Sequence, residues 1–218
     1  MRIHAAIPAL LLPFLAAQNP GKMTQEEIHK LHQDSKAYIA MLEDPQRDAY
    51  QKPMEVIKAL GLKEGEVVAD IGAGSGWFTV RAAKRVANTG IVYALDINAD
   101  AVAYIKQRIE KEQLHNVKAI VSKPGDPELP ANSIDSVLLL KTYHEVADPV
   151  TLLRNLRFSL KPGARVGIID RDGNGQDHGV QKAVVIREAD EAGYRLLEEH
   201  DDLVKGDKMD YFLVFGAQ

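Results

Sequence analysis

The sequence predicts a doubly wound α/β domain: a mostly parallel sheet of about seven strands, the last one antiparallel, with a helical cap on its N-terminal side. Three observations carry this. Five short runs rich in Val, Ile and Leu (residues 67–71, 91–95, 117–121, 134–140 and 165–169) have the unbroken apolar character of strands buried on both faces. Amphipathic stretches at residues 77–87, 99–112 and 149–160 are each long enough to be a crossover helix between parallel strands. A glycine-rich turn joins the first run to the first of these helices.

In chain order, residues 1–20 stand apart. Arg2 opens them, residues 5–17 are uncharged and mostly apolar, and Gln18-Asn19-Pro20-Gly21 break the run. This is the layout of a secretory signal peptide. The run is shorter than the roughly 20 apolar residues of a spanning helix, so no stable membrane span is expected. A periplasmic or secreted address follows; the alternative is a cytoplasmic protein that retains a hydrophobic N-terminal arm. Residues 21–62 form the predicted helical cap. A helix over residues 24–43 opens with Thr24 and Glu27 as a capping box, carries Tyr38 and Leu42 on one face, and ends at Asp44-Pro45. A second helix over residues 53–60 has Pro53 in its first turn and Gly61 as its stop. Residues 63–218 hold the α/β domain. After the fifth strand come a helix over residues 181–192 and two strands, 194–198 and 209–215, around a polar turn at Lys205-Gly206-Asp207. These strands read as an antiparallel hairpin closing one sheet edge.

Composition narrows the function classes. The chain has 218 residues with 45% hydrophobic and 27% charged, ordinary values for one globular domain. A net charge of −4 makes nucleic acid a poor partner. The absence of cysteine removes disulfides, thiolate metal sites and thiol nucleophiles.

The chemistry concentrates at the glycine turn. Strand 67–71 runs into Gly72-Ala73-Gly74-Ser75-Gly76, and Asp96 ends the next strand, 20 residues after Gly76. Glycines let a ligand approach the main chain, and an acid at that strand end can accept both hydroxyls of a ribose. A nicotinamide-binding turn would place its third glycine at Trp77, where a large ring is a poor fit. Asp70, two residues before the first glycine, would repel a pyrophosphate and suits a cofactor with an ammonium and no phosphate, such as S-adenosyl-L-methionine.

Residues 68–79 (VADIGAGSGWFT) resemble motif I of class I S-adenosylmethionine-dependent methyltransferases, and Leu95-Asp96-Ile97 resembles their ribose-binding strand end. The likeness runs on through Leu129-Pro130, Ser133-Ile134-Asp135, Tyr143-His144-Glu145-Val146 and Leu160-Lys161-Pro162-Gly163-Ala164, covering about residues 45–216. It resembles most the small bacterial methyltransferase-domain group. The resemblance implies a Rossmann-like fold, S-adenosylmethionine as cofactor and a small-molecule methyl acceptor. It also implies that Gly72, Gly74 and Gly76 wrap the methionine part, that Asp70 orients the loop or the ammonium, and that Asp96 and Ile97 hold the ribose. Residues 122–126 would lie near the adenine, with Asp126 its expected partner, and Lys141 would face the cofactor from the fourth strand.

For the reaction itself, alignment of nucleophile, methyl carbon and sulfur is the main demand, and a base is needed only when the nucleophile starts protonated. His144, Tyr143 and Asp170 follow the fourth and fifth strands and are the candidate catalytic residues. His144 is equally readable as a ring that merely braces the loop, and Glu145 as a helix cap. Asp170, Asp172 and His178 with His144 suggest a metal set, but the intervening run reads better as a solvated turn, so no metal is expected. Arg81, Lys84 and Arg85 read as a solvated face, and Arg47, Tyr50 and Gln51 as wall residues contributed by the cap. A nicotinamide-dependent oxidoreductase and a non-catalytic cofactor-binding module are the rival readings.

Overall fold

The computed structural model describes residues 35–173, 178–204 and 209–218. Residues 1–20, expected as a signal peptide or hydrophobic arm, the Thr24–Glu27 box and the polar turn at 205–207 lie outside the described residues. The cap comprises α1 (Ser35–Leu42), α2 (Arg47–Gln51) and α3 (Pro53–Leu60). The α/β domain follows as β1 (Val67–Ile71), α4 (Trp77–Val86), β2 (Ile91–Asp96), α5 (Ala99–Lys111), β3 (Val117–Val121) and β4 (Ile134–Leu140). It continues with a 3₁₀ turn (Tyr143–Glu145), α6 (Pro149–Arg157), β5 (Leu160–Asp170), α7 (Lys182–Glu191), β6 (Tyr194–Glu199), α8 (Asp201–Val204) and β7 (Tyr211–Ala217).

Successive strand residues point to opposite faces, so strands that are apolar throughout build a core on each side. On one side Val68, Val92, Ala94 and Leu138 pack against α3 and α4 through Ile57, Phe78 and Ala82. On the other Ala69, Leu95, Val137 and Leu139 pack against α6 and α7 through Leu152, Leu156, Val185 and Ala189. No helix among the described residues is long and apolar enough to cross a membrane.

The sheet order is β3-β2-β1-β4-β5-β7-β6. Strands β1 to β5 run parallel to one another, and β7 runs antiparallel between β5 and β6. The chain steps outward in one direction from β1 to β3, then returns to the other side of β1 with β4. A crevice opens between β1 and β4 at their carboxyl ends, the usual ligand position in such sheets.

The fold expected from the sequence is the one observed, with local differences. The short helix α2 was not expected; Lys52, in the left-handed region with φ +41°, separates it from α3. Helix α6 ends at Arg157 and β5 begins at Leu160, earlier than residue 165, because Leu160 already pairs with Ile134. The residues between Leu160 and Arg165 are taken up by a register shift. The edge strand β6 keeps Arg195, Glu198 and Glu199 exposed, charges that discourage further strand pairing.

Candidate functional site

A cavity of about 1120 Å³ lies over the carboxyl ends of the parallel strands, from the loop after β3 to the loop after β5. The cap supplies one side of it: Tyr38, Met41 and Leu42 from α1, and Arg47, Tyr50 and Gln51 from α2. The three α2 residues expected as wall from the sequence are thus brought to the cavity.

The glycine turn forms the wall over β1. Gly72 and Gly74 line the cavity and lie in the left-handed region, with φ of +72° and +56°. At Gly72 a Cβ would come within 2.3 Å of the Thr142 side chain, so the contact between the β1 and β4 loops requires glycine there. Asp96 stands at the end of β2 on the same wall. It accepts from Gly74 N at 2.8 Å and from Asn98 N at 2.9 Å, so the ribose-type acid is oriented by the glycine turn itself. Bare backbone beside a fixed carboxylate fits an adenosyl ligand with no phosphate. Ile97 is 42% exposed and lines the cavity beside Asp96, with Ser122, Lys123, Pro124 and Gly125 from the loop after β3 beyond it.

Asp70 and Gly76 lie outside the wall. Asp70 is buried beneath the turn and accepts from the Thr79 hydroxyl at 2.6 Å, which ties β1 to the first turn of α4. It orients the loop and does not face the cavity. Burial pushes its carboxyl up to about 6, against the hydrogen bond from Thr79. Gly76 precedes α4 in the left-handed region. Asp126 is also outside the wall. Its side chain is exposed and accepts from Glu128 N at 2.9 Å.

Over β4 and β5 the wall carries Lys141, Thr142, His144, Glu145, Arg171 and His178. His144 is only 5% exposed, and its Nδ1 lies 2.8 Å from Asp170 Oδ1 and 3.0 Å from Oδ2. Asp170, fully buried at the end of β5, also accepts from His144 N at 3.1 Å and from Arg171 N at 2.8 Å. With Nδ1 donating to a carboxylate, the neutral ring presents Nε2 as an acceptor. Burial lowers the His144 ring, but the Asp170 hydrogen bond and charge, with Glu145 behind them, outweigh it, and the net direction is upward. Glu145 Oε1 is 3.8 Å from His144 Nε2, and burial pushes the Glu145 carboxyl up to about 7. The ring of His178 lies edge-on to that of His144, with centroids 6.1 Å apart. No group of three or more metal-ligating side chains occurs among the described residues.

Tyr143 is not at the wall. It is buried in the core and donates to Glu188 Oε2 at 2.9 Å, anchoring the turn that carries His144 to α7. Of the residues proposed for catalysis, the structure joins His144 and Asp170 and sets Tyr143 behind them. Asp148, not Glu145, caps α6, accepting from Thr151 N at 3.1 Å. Glu145 and Tyr38 were missed as site residues. Tyr38 lines the cavity, and its phenol is raised by burial and then by the charges of Glu145 and Asp96. Its helical spacing gave no sign of this; the adjacency of Glu145 to His144 at a strand end was a usable signal.

Comparison with known proteins agrees with this geometry. A family model described as "Methyltransferase domain" matches residues 62–206. A 2-phytyl-1,4-naphtoquinone methyltransferase of Trichormus variabilis is 31% identical over 147 residues, covering 64% of each chain. A demethylmenaquinone methyltransferase from a Geobacillus strain is 28% identical over 112 residues, 51% of this chain and 48% of that one. The chain thus spans about half to two thirds of these curated relatives. Among solved structures, a SAM-dependent methyltransferase from Aquifex aeolicus superposes with a TM-score of 0.73 at 30% identity, covering 84% of this chain and 97% of that one. The motif I turn, the acid at the end of β2, the matched family and this structural relative agree: the chain belongs to the class I S-adenosylmethionine-dependent methyltransferase-domain family.

Proposed function

We propose that this protein transfers a methyl group from S-adenosylmethionine to a small-molecule acceptor whose reacting atom gives up a proton. The single observation that carries this is the buried His144–Asp170 pair, hydrogen-bonded at 2.8 Å, whose His144 lies on the wall of the cavity that also holds the glycine turn and Asp96. When bound, the cofactor supplies an electrophilic methyl group on a sulfonium. Gly72, Gly74 and Asp96 hold and orient the ligand over β1 and β2, and the cap keeps water from the reacting atoms. His144 Nε2 accepts the proton of the acceptor as the new bond to carbon forms, while the electron pair of the broken carbon–sulfur bond stays on sulfur. Asp170 fixes the ring's tautomer and stabilises the imidazolium. Two relatives carry naphthoquinone-type names, which supports a hydroxylated aromatic acceptor.

The test uses 1,4-naphthoquinol as acceptor and follows S-adenosylhomocysteine release by mass spectrometry. His144→Gln should lower turnover by about 10²–10⁴-fold and leave S-adenosylhomocysteine affinity intact. Turnover needs the neutral ring, so it should rise with pH through a limb above the ordinary histidine value. Glu145→Gln removes a negative charge that raises His144, and should move that limb to lower pH. Cofactor binding without turnover in the wild type, or a His144→Gln variant as active as wild type, refutes the base and favours a binding module.

A further inference from the structure

The turn that carries His144 is held from two sides. In front, the Thr142 hydroxyl lies 3.4 Å from the carbonyl oxygen of Gly72, a residue whose Cβ would collide with it. Behind, the Tyr143 hydroxyl donates to Glu188 Oε2 of α7 at 2.9 Å. Between these points Asp170 takes both the backbone N–H and the ring Nδ1 of His144. The place of the ring relative to the glycine turn is therefore set by a clamp, with Gly72 at one end and Glu188 at the other.

The rear half of the clamp is chemically unusual. Glu188 is 4% exposed, and its neighbours on the buried face of α7, Val185 and Ala189, belong to the apolar core. Phenylalanine at 143 against an apolar residue at 188 would fill the space without desolvating any polar group, and such a pair is often as stable. What it lacks is direction, because a hydroxyl bonded to a carboxyl tolerates only a narrow range of distance and angle. Tyr194 and Tyr211 are as deeply buried, 1% exposed like Tyr143, but give their hydroxyls to main-chain carbonyls, those of Leu153 and Val180. Of the three, Tyr143 meets a side-chain carboxyl, and it is the one that precedes His144.

We infer that Tyr143 and Glu188 are positioning residues for the methyl transfer: their buried bond sets the place of the His144 ring against Asp170 and the cofactor, with neither touching a ligand. This rests on the base role proposed above for His144. The groups that face its ring are Asp170 from β5, His178 from the segment before α7, and Glu145 and Lys141 from its own loop. Burial lowers the ring, and the Asp170 bond raises it. A turn freed at its rear anchor stretches that bond, so His144 then titrates lower.

The test compares, in the full chain, Tyr143→Phe with the double variant Tyr143→Phe/Glu188→Met, which puts apolar groups of similar size in both places. Tyr194→Phe is the control for a buried hydroxyl lost elsewhere in the same core. Tyr143→Phe should lower kcat for 1,4-naphthoquinol by about 10–100-fold, with KM and S-adenosylhomocysteine affinity unchanged. The double variant should recover stability in thermal melts but not kcat. In NMR titrations of ¹⁵N-histidine-labelled protein, both should move His144 down by about one pH unit, with its resonance identified by His144→Gln. Tyr194→Phe should lose stability and change neither kcat nor the His144 titration. A double variant with wild-type kcat, or one in which His144 titrates as in the wild type, overturns the inference. The NMR titration needs no turnover. An inactive wild type whose His144 still shifts in the variants therefore sinks the base role of His144, not the hold that Tyr143 and Glu188 have on it.

Discussion

The carboxyl of Asp70 was read in the sequence as orienting either the glycine loop or an ammonium, and its hydrogen bond goes to the loop side. It lies under the glycine turn with the Thr79 hydroxyl 2.6 Å away, and burial pushes it up to about 6. A carboxyl that titrates near 6 when folded and near 3.8 when unfolded binds its proton more tightly in the native state. Stability is therefore lost as pH rises through that window, by about 3 kcal/mol once it is passed. Asp70→Asn keeps an acceptor for Thr79 and removes the buried charge. It should melt with the wild type at pH 4 and above it at pH 7, by an increment of about 1–3 kcal/mol. Thermal melts at the two values decide this; a variant no more stable than wild type at pH 7 refutes it. At this scale the motif residues were legible because glycine turns and strand-end acids have fixed spacing. Tyr38 was not, because its place on the wall comes from two distant segments converging on one cavity.

At the scale of elements, the strands and crossover helices could be read because apolar runs and 3.6-residue periodicity are local signals. The junction between cap and sheet could not, because it is made by single side chains across the fold. Trp77, noticed in the sequence only as a misfit for a nicotinamide turn, is the first residue of α4. Arg47 of α2 lies over its ring at 4.5 Å, and Arg81 lies over it at 4.1 Å. Arg47 also donates to Gln51 Oε1 at 3.1 Å and to the carbonyl of Leu42. Arg81 pairs with Asp48, so it is not the bare solvated charge that its helix suggested. Cation–π contacts at a partly desolvated ring contribute about 0.5–2 kcal/mol each. Arg47→Ala should loosen α2 from α4, weaken S-adenosylhomocysteine binding by about tenfold and shift tryptophan emission to the red. Trp77 is the only tryptophan in the chain, so the emission reports this junction alone. An unchanged spectrum and affinity would show that the cap is held by other contacts.

For the whole molecule, one cavity draws its wall from segments scattered along the chain: α1 and α2, the turn after β1, the ends of β2 to β5 and the loop before α7. The ends that carry reacting groups are held from the far side of the sheet. Asp170 pairs with Tyr211 on β7, and its carbonyl accepts from Asp210 N at 3.0 Å, so the hairpin of β6 and β7 fixes the acid behind His144. A ligand that touches cap and sheet together binds only the folded arrangement, and stability must then rise with its concentration. At 100 times its dissociation constant, S-adenosylhomocysteine should add about 2.7 kcal/mol, which for a domain of this size raises Tm by about 5–10 °C. Asp96→Ala should remove most of that rise, because it deletes the acid that Gly74 and Asn98 orient. If saturating ligand leaves Tm unmoved, the cavity does not take the cofactor its turn and strand ends are built for. If Tm rises equally in Asp96→Ala, the adenosine part is held elsewhere on the wall, with Ser122 to Gly125 the segment to vary next.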